Sequence, residues 1–287
     1  MIYRTLRLGP SAFAAAMLTS PVLAADLGAN EPPSVEPIEQ ISPWEFELGV
    51  YAFVPVSVEG TSVVDGGSVN LDLDLKDVVN LLDFAASGRA EAWRKRDVGD
   101  GSAFGFVFDA QYVNLGLKKQ DIGPASSGTV KVDIRQGIID TMVGYRLPSV
   151  STGSDVNQRI EFDVMAGARY NYLRQKIDIT PGLPAPFTQN LGDDKHWVSP
   201  VIGARANFIF NDRWNLVVRG DMSGFGVSGE NLSWALNGLA GYKFTENATF
   251  RFGYRVYDID YSSGSGSNEF AYDVTEHGPI LGLSYKF

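Results

Sequence analysis

From Trp44 to Phe287 apolar residues alternate with polar or small ones over long runs, the two-residue period that sends successive side chains to opposite faces of a β-strand. In the last run Leu281, Leu283, Tyr285 and Phe287 share one face, and Gly282, Ser284 and Lys286 the other. Phe250, Phe252 and Tyr254 alternate with Arg251, Gly253 and Arg255, and Ile202, Ala204, Ala206 and Phe208 with Gly203, Arg205 and Asn207. Ile160 to Tyr170 and Phe104 to Tyr112 repeat the theme, with Glu161, Asp163, Arg169 and Asp109 on the polar side. Helical spacing is almost absent. The pattern predicts an all-β fold of about ten strands, with eight or twelve as alternatives. The strands read as 44–58, 85–96, 102–117, 129–147, 158–179, 196–210, 214–227, 232–244, 248–261 and 272–287.

Alternation alone does not separate an aqueous sandwich from a transmembrane antiparallel up-and-down barrel. Charges recur at mid-strand on the polar face, and the runs exceed the roughly six residues usual in soluble sheets. A soluble fold needs a second sheet to cover the aromatic rows, whereas a barrel covers them with lipid and keeps a polar interior. The tight turns at Asn211-Asp212-Arg213 and Thr245-Glu246-Asn247 are flanked by Phe208, Phe210 and Trp214, and by Tyr242, Phe244, Phe250 and Phe252. Aromatic rings at strand ends suit the headgroup level of a bilayer. An even strand number returns both termini to the periplasmic side, with short turns there and longer loops outside. Val69 to Leu75 also alternates, but as a further crossing it would make the count odd, so it is assigned to the first external loop.

The front of the chain adds a location. Arg4 and Arg7, the apolar stretch Ala12 to Leu23 and the small-residue site Val22-Leu23-Ala24 read as an export signal over residues 1–24. Residues 25–43, with Pro32, Pro33, Pro37 and Pro43, read as a periplasmic Pro-rich linker, leaving 44–287 as the barrel. The full chain of 287 residues carries a net charge of -10, and loss of Arg4 and Arg7 makes the mature chain more acidic still, which disfavours nucleic acid as a partner. With no cysteine and only two histidines, zinc ribbons, thiol nucleophiles and three-imidazole sites are excluded, and neither a metal nor a cofactor is expected.

The terminal run Leu281-Gly282-Leu283-Ser284-Tyr285-Lys286-Phe287 resembles the insertion signal of Gram-negative outer-membrane β-barrel proteins. Asp77-Val78-Val79-Asn80-Leu81-Leu82-Asp83-Phe84 followed by Arg89-Ala90-Glu91-Ala92 is similar to a motif in uncharacterised proteobacterial barrels of porin-like or OmpA-like type. The resemblance implies residence in the bacterial cell outer membrane among its lipids. It also implies delivery by the barrel-assembly machinery and periplasmic chaperones, with Leu281, Leu283, Tyr285 and Phe287 as the insertion signal. It brings no catalytic residues and no oligomeric state.

By parity the lumen receives Glu45, Glu47, Arg89, Glu91, Asp109, Asp140, Arg146, Glu161, Asp163, Arg169, Arg205, Arg219, Asp221, Lys243, Arg251, Arg255 and Lys286, eight acids against nine bases. Such a set is either a structural ion-pair core or the lining of a pore that screens solutes by size and field. Side chains just fill a barrel of about eight strands and wide channels come near sixteen, so ten strands favour a closed barrel or a narrow conduit for small polar solutes. Asp77 to Phe84 carries Val78, Leu81 and Leu82 at helix-like spacing, predicting a short amphipathic turn either packed over or into the mouth or lying at the lipid surface.

The leading expectation is therefore a non-enzymatic outer-membrane barrel, structural or porin-like. The first alternative is a rim enzyme acting on lipid A or peptides, since some outer-membrane barrels are such enzymes and His196 and His277 fall near external strand ends. Those two residues belong to non-neighbouring strands and share the parity of the lipid face. The second alternative is a surface adhesin or host-interaction protein, motivated by the loop tips Asp193-Asp194 and Ser262 to Asn268. Gly224 to Gly229 satisfies G-x-G-x-x-G but precedes a strand, so it reads as a hairpin loop. Asp72, Asp74 and Asp77 lack the glycine and distal glutamate of a calcium loop.

Overall fold

The computed structural model describes residues 42–96, 99–122, 128–153, 158–180 and 189–287. The expected signal peptide and residues 25–41 of the expected linker lie outside the described residues. The strands are β1 (Trp44–Phe53), β2 (Ser57–Val64), β3 (Gly67–Asp74), β4 (Leu82–Lys95), β5 (Ala103–Ile122), β6 (Gly128–Arg146), the two-residue β7 (Val150–Ser151), β8 (Arg159–Thr180), β9 (Gln189–Ile209), β10 (Trp214–Val227), β11 (Glu230–Lys243), β12 (Ala248–Ser263) and β13 (Phe270–Lys286), with one helix, α1 (Leu75–Leu81). Neighbouring wall strands are antiparallel, and β1 pairs with β13 from Glu47↔Lys286 to Phe53↔Ile280, which closes the sheet. Among the described residues ten strands make the wall, because β2 continues β1 upward along β13.

The predicted first strand, 44–58, breaks at 54–56. Pro55 has no N–H to give a ladder, and the amides of Val54 and Val56 instead reach Pro279 O and His277 O on β13. The stretch 69–75, predicted as part of the first external loop, is instead paired in a hairpin as far as Asp74. Asp65 (φ 49°) and Gly66 (φ 73°) turn β2 back into β3, the Asp-Gly turn whose positive φ values match strand twist. Asp74 then caps α1: its side chain accepts from the Asp77 amide, while the Asp77 side chain accepts from the Asp74 amide. Two members of the acidic triplet thus act as a capping box.

Outside, Phe106, Phe108, Val143, Val164, Ile202, Leu236 and Leu283 form an exposed apolar belt. It is edged at the short-turn end by Trp44, Phe104, Tyr145, Phe210, Trp214, Phe250 and Tyr285. Rings in this edge meet across strands, as with Trp214 and Tyr242 at 4.9 Å and Phe104 and Tyr145 at 5.0 Å. A closed, edgeless sheet with an apolar exterior is one of the two backbone arrangements that satisfy every peptide group in hydrocarbon. The chain is an outer-membrane β-barrel, with lipid as the solvent of its outer face. Phe287 N bonds Phe46 O, so both ends of the barrel chain lie at the periplasmic rim.

Candidate functional site

Because side chains alternate, each wall strand delivers its polar set inward, and the lumen is where those sets meet. At the periplasmic end Glu45 pairs with Lys95 (2.5 Å) and Lys286 (2.9 Å), and Glu47 with Arg251 (2.6 Å). One layer deeper, Arg205 donates to both oxygens of Glu91 at 2.7 and 2.9 Å, and its Nε donates to Asp163 at 2.8 Å. Arg146 donates to Asp163 at 2.8 Å and lies 3.7 Å from Glu161. Arg89 donates to Glu91 at 2.6 Å and to Asp109 at 3.3 Å, and the Tyr51 hydroxyl donates to Asp109 at 2.5 Å. At mid-barrel Arg169 is 2 % exposed, grips Asp140 with two bonds at 2.7 and 2.8 Å, and donates to Asp221 at 2.6 Å. Planar guanidinium forks matched to carboxylates make such pairs tolerable in a desolvated interior. Of the charges assigned to the lumen by parity, all but Asp163 line the cavity or its mouth, where Lys243 sits, and Asp163 is buried between Arg146 and Arg205.

Trp93 joins two of these layers. Its ring is flattened against β5 and β6 at Gly105 and Gly144, which pair with each other; a Cβ at Gly105 would collide with it, and one at Gly144 would stand 2.8 Å away. The guanidinium groups of Arg146 and Arg205 lie over the ring at 4.5 and 5.5 Å, a cation–π arrangement. Its indole N–H donates to Glu91 at 2.7 Å. Tyr51 and Trp93 carry the same parity as Glu47 and Glu91, the signal by which sequence reading finds them.

Above Arg169 the lumen changes character. Glu230, 1 % exposed, accepts from Trp197 Nε1, Ser199 and Ser223 at 2.6 Å each and from Asn171 at 3.2 Å. Parity misses this residue because it falls between the predicted strands 214–227 and 232–244, and the register between β11 and β12 shifts between Glu230 and Trp234. Beyond it the interior is mainly apolar, with Ser62, Gln136 and Gln175 buried among the apolar side chains. Val58 and Val64 of β2, Leu71 of β3 and Val78 of α1 pack against Ile134 and Ile138 of β6, Leu173 of β8, Trp197 of β9 and Tyr257, Ile259 and Tyr261 of β12. Polar ties hold the hairpin across the mouth: Ser62 donates to Gln175 at 2.5 Å, and Asp65 accepts from the Gly192 amide at 3.2 Å. The helix predicted within 77–84 lies at 75–81, and Val78 points into the core rather than at lipid.

What remains open is a cavity of about 200 Å³ running from Glu45 and Lys286 up to Ile138, Ile280 and Arg255. It meets a vestibule of about 540 Å³ ringed by the periplasmic turns. At that rim Asp100 is held below the usual carboxylate range by hydrogen bonding to the Ser102 side chain and then to its amide. On the opposite side, above the belt, a hydrogen bond to Asp193 raises the Lys195 pKa. His196 on β9 and His277 on β13 both face outward, separated by β10, β11 and β12. His277 Nδ1 bonds the Tyr254 hydroxyl at 2.5 Å. Among the described residues no group of three or more His, Asp or Glu is placed to hold a metal ion.

No protein-family model matches the chain, and no curated protein does. Solved structures similar to it include the outer membrane protease OmpT from Escherichia coli, at 11 % identity and TM-score 0.47 over 87 % of this chain and 99 % of that one. Ail, the attachment invasion locus protein of Yersinia pestis, is 10 % identical with TM-score 0.32 over 86 % and 100 %. The outer membrane protein OprG from Pseudomonas aeruginosa is 14 % identical with TM-score 0.31 over 85 % and 95 %.

Proposed function

We propose that this outer-membrane barrel is a non-enzymatic structural protein of the envelope whose lumen is sealed toward the outside and open only to the periplasm. The observation that carries this reading is the apolar core between the β2–β3 hairpin, α1 and the inner faces of β6, β8, β9 and β12. Hydrated solutes crossing such a plug would shed water against Val, Leu and Tyr with few compensating hydrogen bonds, at several kcal/mol for each polar group left unpaired. Below the plug, the Arg169–Asp140–Asp221 cluster narrows the interior from the β6–β10 side of the wall. The outward-facing Leu281, Leu283, Tyr285 and Phe287 at the periplasmic end support their reading as the signal recognised by the assembly machinery.

Planar-bilayer recording on the folded protein tests the proposal. A sealed barrel gives no discrete current steps, even when insertion is verified by protease protection in the same vesicles. Reproducible steps from the unmodified protein would replace it with a narrow conduit for small polar solutes.

A further inference from the structure

The blind end of the periplasm-facing cavity holds buried guanidinium groups whose N–H donors its neighbours do not all occupy. Arg255, 7 % exposed, has no carboxylate within 4.0 Å among the described residues. Its Nη1 donates to Gln111 at 2.6 Å, its plane lies over Phe53 and Tyr257 at 5.3 and 4.7 Å, and its Nε has no partner. Arg219, as deeply buried, reaches Asp221, Asp140 and Asp109 only at 3.3, 3.6 and 3.9 Å, and its Nε, the atom nearest Asp221, makes no hydrogen bond. Arg89 approaches the same Asp109 oxygen as Arg219 and leaves Nη2 unpartnered. These three guanidinium groups come from β4, β10 and β12 and converge on Asp109 and Gln111 of β5. All three line the 200 Å³ cavity.

A buried cation with no counter-charge in contact, as at Arg255, costs several kcal/mol, and the unpartnered buried N–H groups of all three add to that. Fixed cations with spare donors at the closed end of a polar cavity are the complement of an oxyanion: Arg supplies planar, always-charged donors that match carboxylate and phosphate oxygens. At roughly 30 Å³ per water, the cavity has room for a compact anion with its waters, and is too small for a nucleotide. The route from the periplasm passes the Glu45, Glu47 and Lys286 ring. We propose that this cavity is a binding site for a compact oxyanion, phosphate, sulfate or a small carboxylate, held by Arg219 and Arg255 with Arg89 beside them.

The test is calorimetric titration of the full folded chain in detergent micelles with sodium phosphate, sulfate or acetate, ionic strength held constant with sodium chloride. The expected result is saturable one-to-one binding of at least one oxyanion above the chloride background, with a matching rise in Tm. Arg255→Gln and Arg219→Gln each weaken it about tenfold or more, and Arg94→Gln, an exposed charge off the site, leaves it unchanged. Phosphate and sulfate binding ahead of acetate assigns a tetrahedral anion, and acetate binding equally well assigns a carboxylate; both support the site. If Arg255→Gln does not fold, Arg255→Lys keeps the charge while losing the fork, and the same weakening is expected. Heats indistinguishable from chloride in the unmodified protein, or unchanged affinity in the Arg219 and Arg255 variants, overturn the proposal. Because the readout is equilibrium binding, the result is independent of whether the barrel conducts.

Discussion

Arg169 and Glu230 solve the same problem in opposite ways, and their variants separate the two solutions. Arg169 is a buried cation whose three nitrogens are all occupied, by Asp140, Asp221 and Ser223. Arg169→Met fills similar space but leaves two buried carboxylates with one fewer counter-charge, and a loss of about 3–5 kcal/mol is expected in urea unfolding from lipid vesicles. Glu230 instead receives neutral donors, two hydroxyls, an indole N–H and an amide. Glu230→Ala strands those donors at 1–3 kcal/mol apiece where water does not replace the carboxylate, so a loss of at least about 2 kcal/mol is expected in the same assay. Parity along β4 to β10 assigned the ion-pair network from sequence, since one charge in register predicts the next. It could not assign Glu230, which lies ahead of the predicted strand 232–244 and beyond a bulge that reverses the inward face and leaves no mark in the composition of β11.

At the scale of elements, the β2–β3 hairpin and α1 decide whether the barrel is a plug or a pipe. They are anchored by four aliphatic side chains and a few polar ties, so the seat is vulnerable to charge. Val64→Asp with Leu71→Asp buries two unpaired carboxylates at the contact, and release of the hairpin is expected to convert a silent barrel into one giving current steps. This segment was the least legible part of the chain. The alternation over 69–75 was in view, but Asp65-Gly66 was not read as a turn, and counting membrane crossings forced a choice between spanning strand and loop. A hairpin adds one ascending and one descending strand, so it changes neither the parity nor the location of the termini. The ten wall strands were legible because lipid and a polar lumen enforce the same alternation on each of them.

Another element-scale consequence lies above the belt, where Asp273 of β13 faces Asp260 of β12 directly in register. Desolvation first, and then the charges of Asp260 and Asp258, raise the Asp273 pKa. A raised folded-state value means that the folded protein holds this proton more tightly than the unfolded chain does. The stability it confers is whole below the ordinary carboxylate range and is lost as pH rises through the raised value. Asp273→Asn should therefore be more stable than the parent near neutrality by a few tenths of a kcal/mol, the scale of like charges facing across a ladder. The gain should shrink at acid pH and in high salt, since the group is exposed and screened; a gain that persists at acid pH would point to a cause other than charge.

For the whole molecule the decisive question is which solvent covers the aromatic and aliphatic rows, and depth along a single strand answers it. On β5 the outward residues run from Phe104, paired with Tyr145 at the periplasmic edge, through Phe106 and Phe108 to Tyr112. In water or against another protein surface, the cost of an arginine at these positions would follow local packing and show no trend with height. In a bilayer it follows the distance from the midplane, because the guanidinium at an edge reaches headgroups while one at the centre drags water and phosphate inward. Phe108→Arg is therefore expected to cost about 2–4 kcal/mol and Phe104→Arg about 1 kcal/mol or less, measured by reversible unfolding from lipid vesicles. The inward residues set the control: they meet a lumen already rich in charge, so their substitution should show no such profile. A flat response along β5 would remove lipid as the partner of this face, and with it the reason the chain can leave so many large apolar side chains exposed.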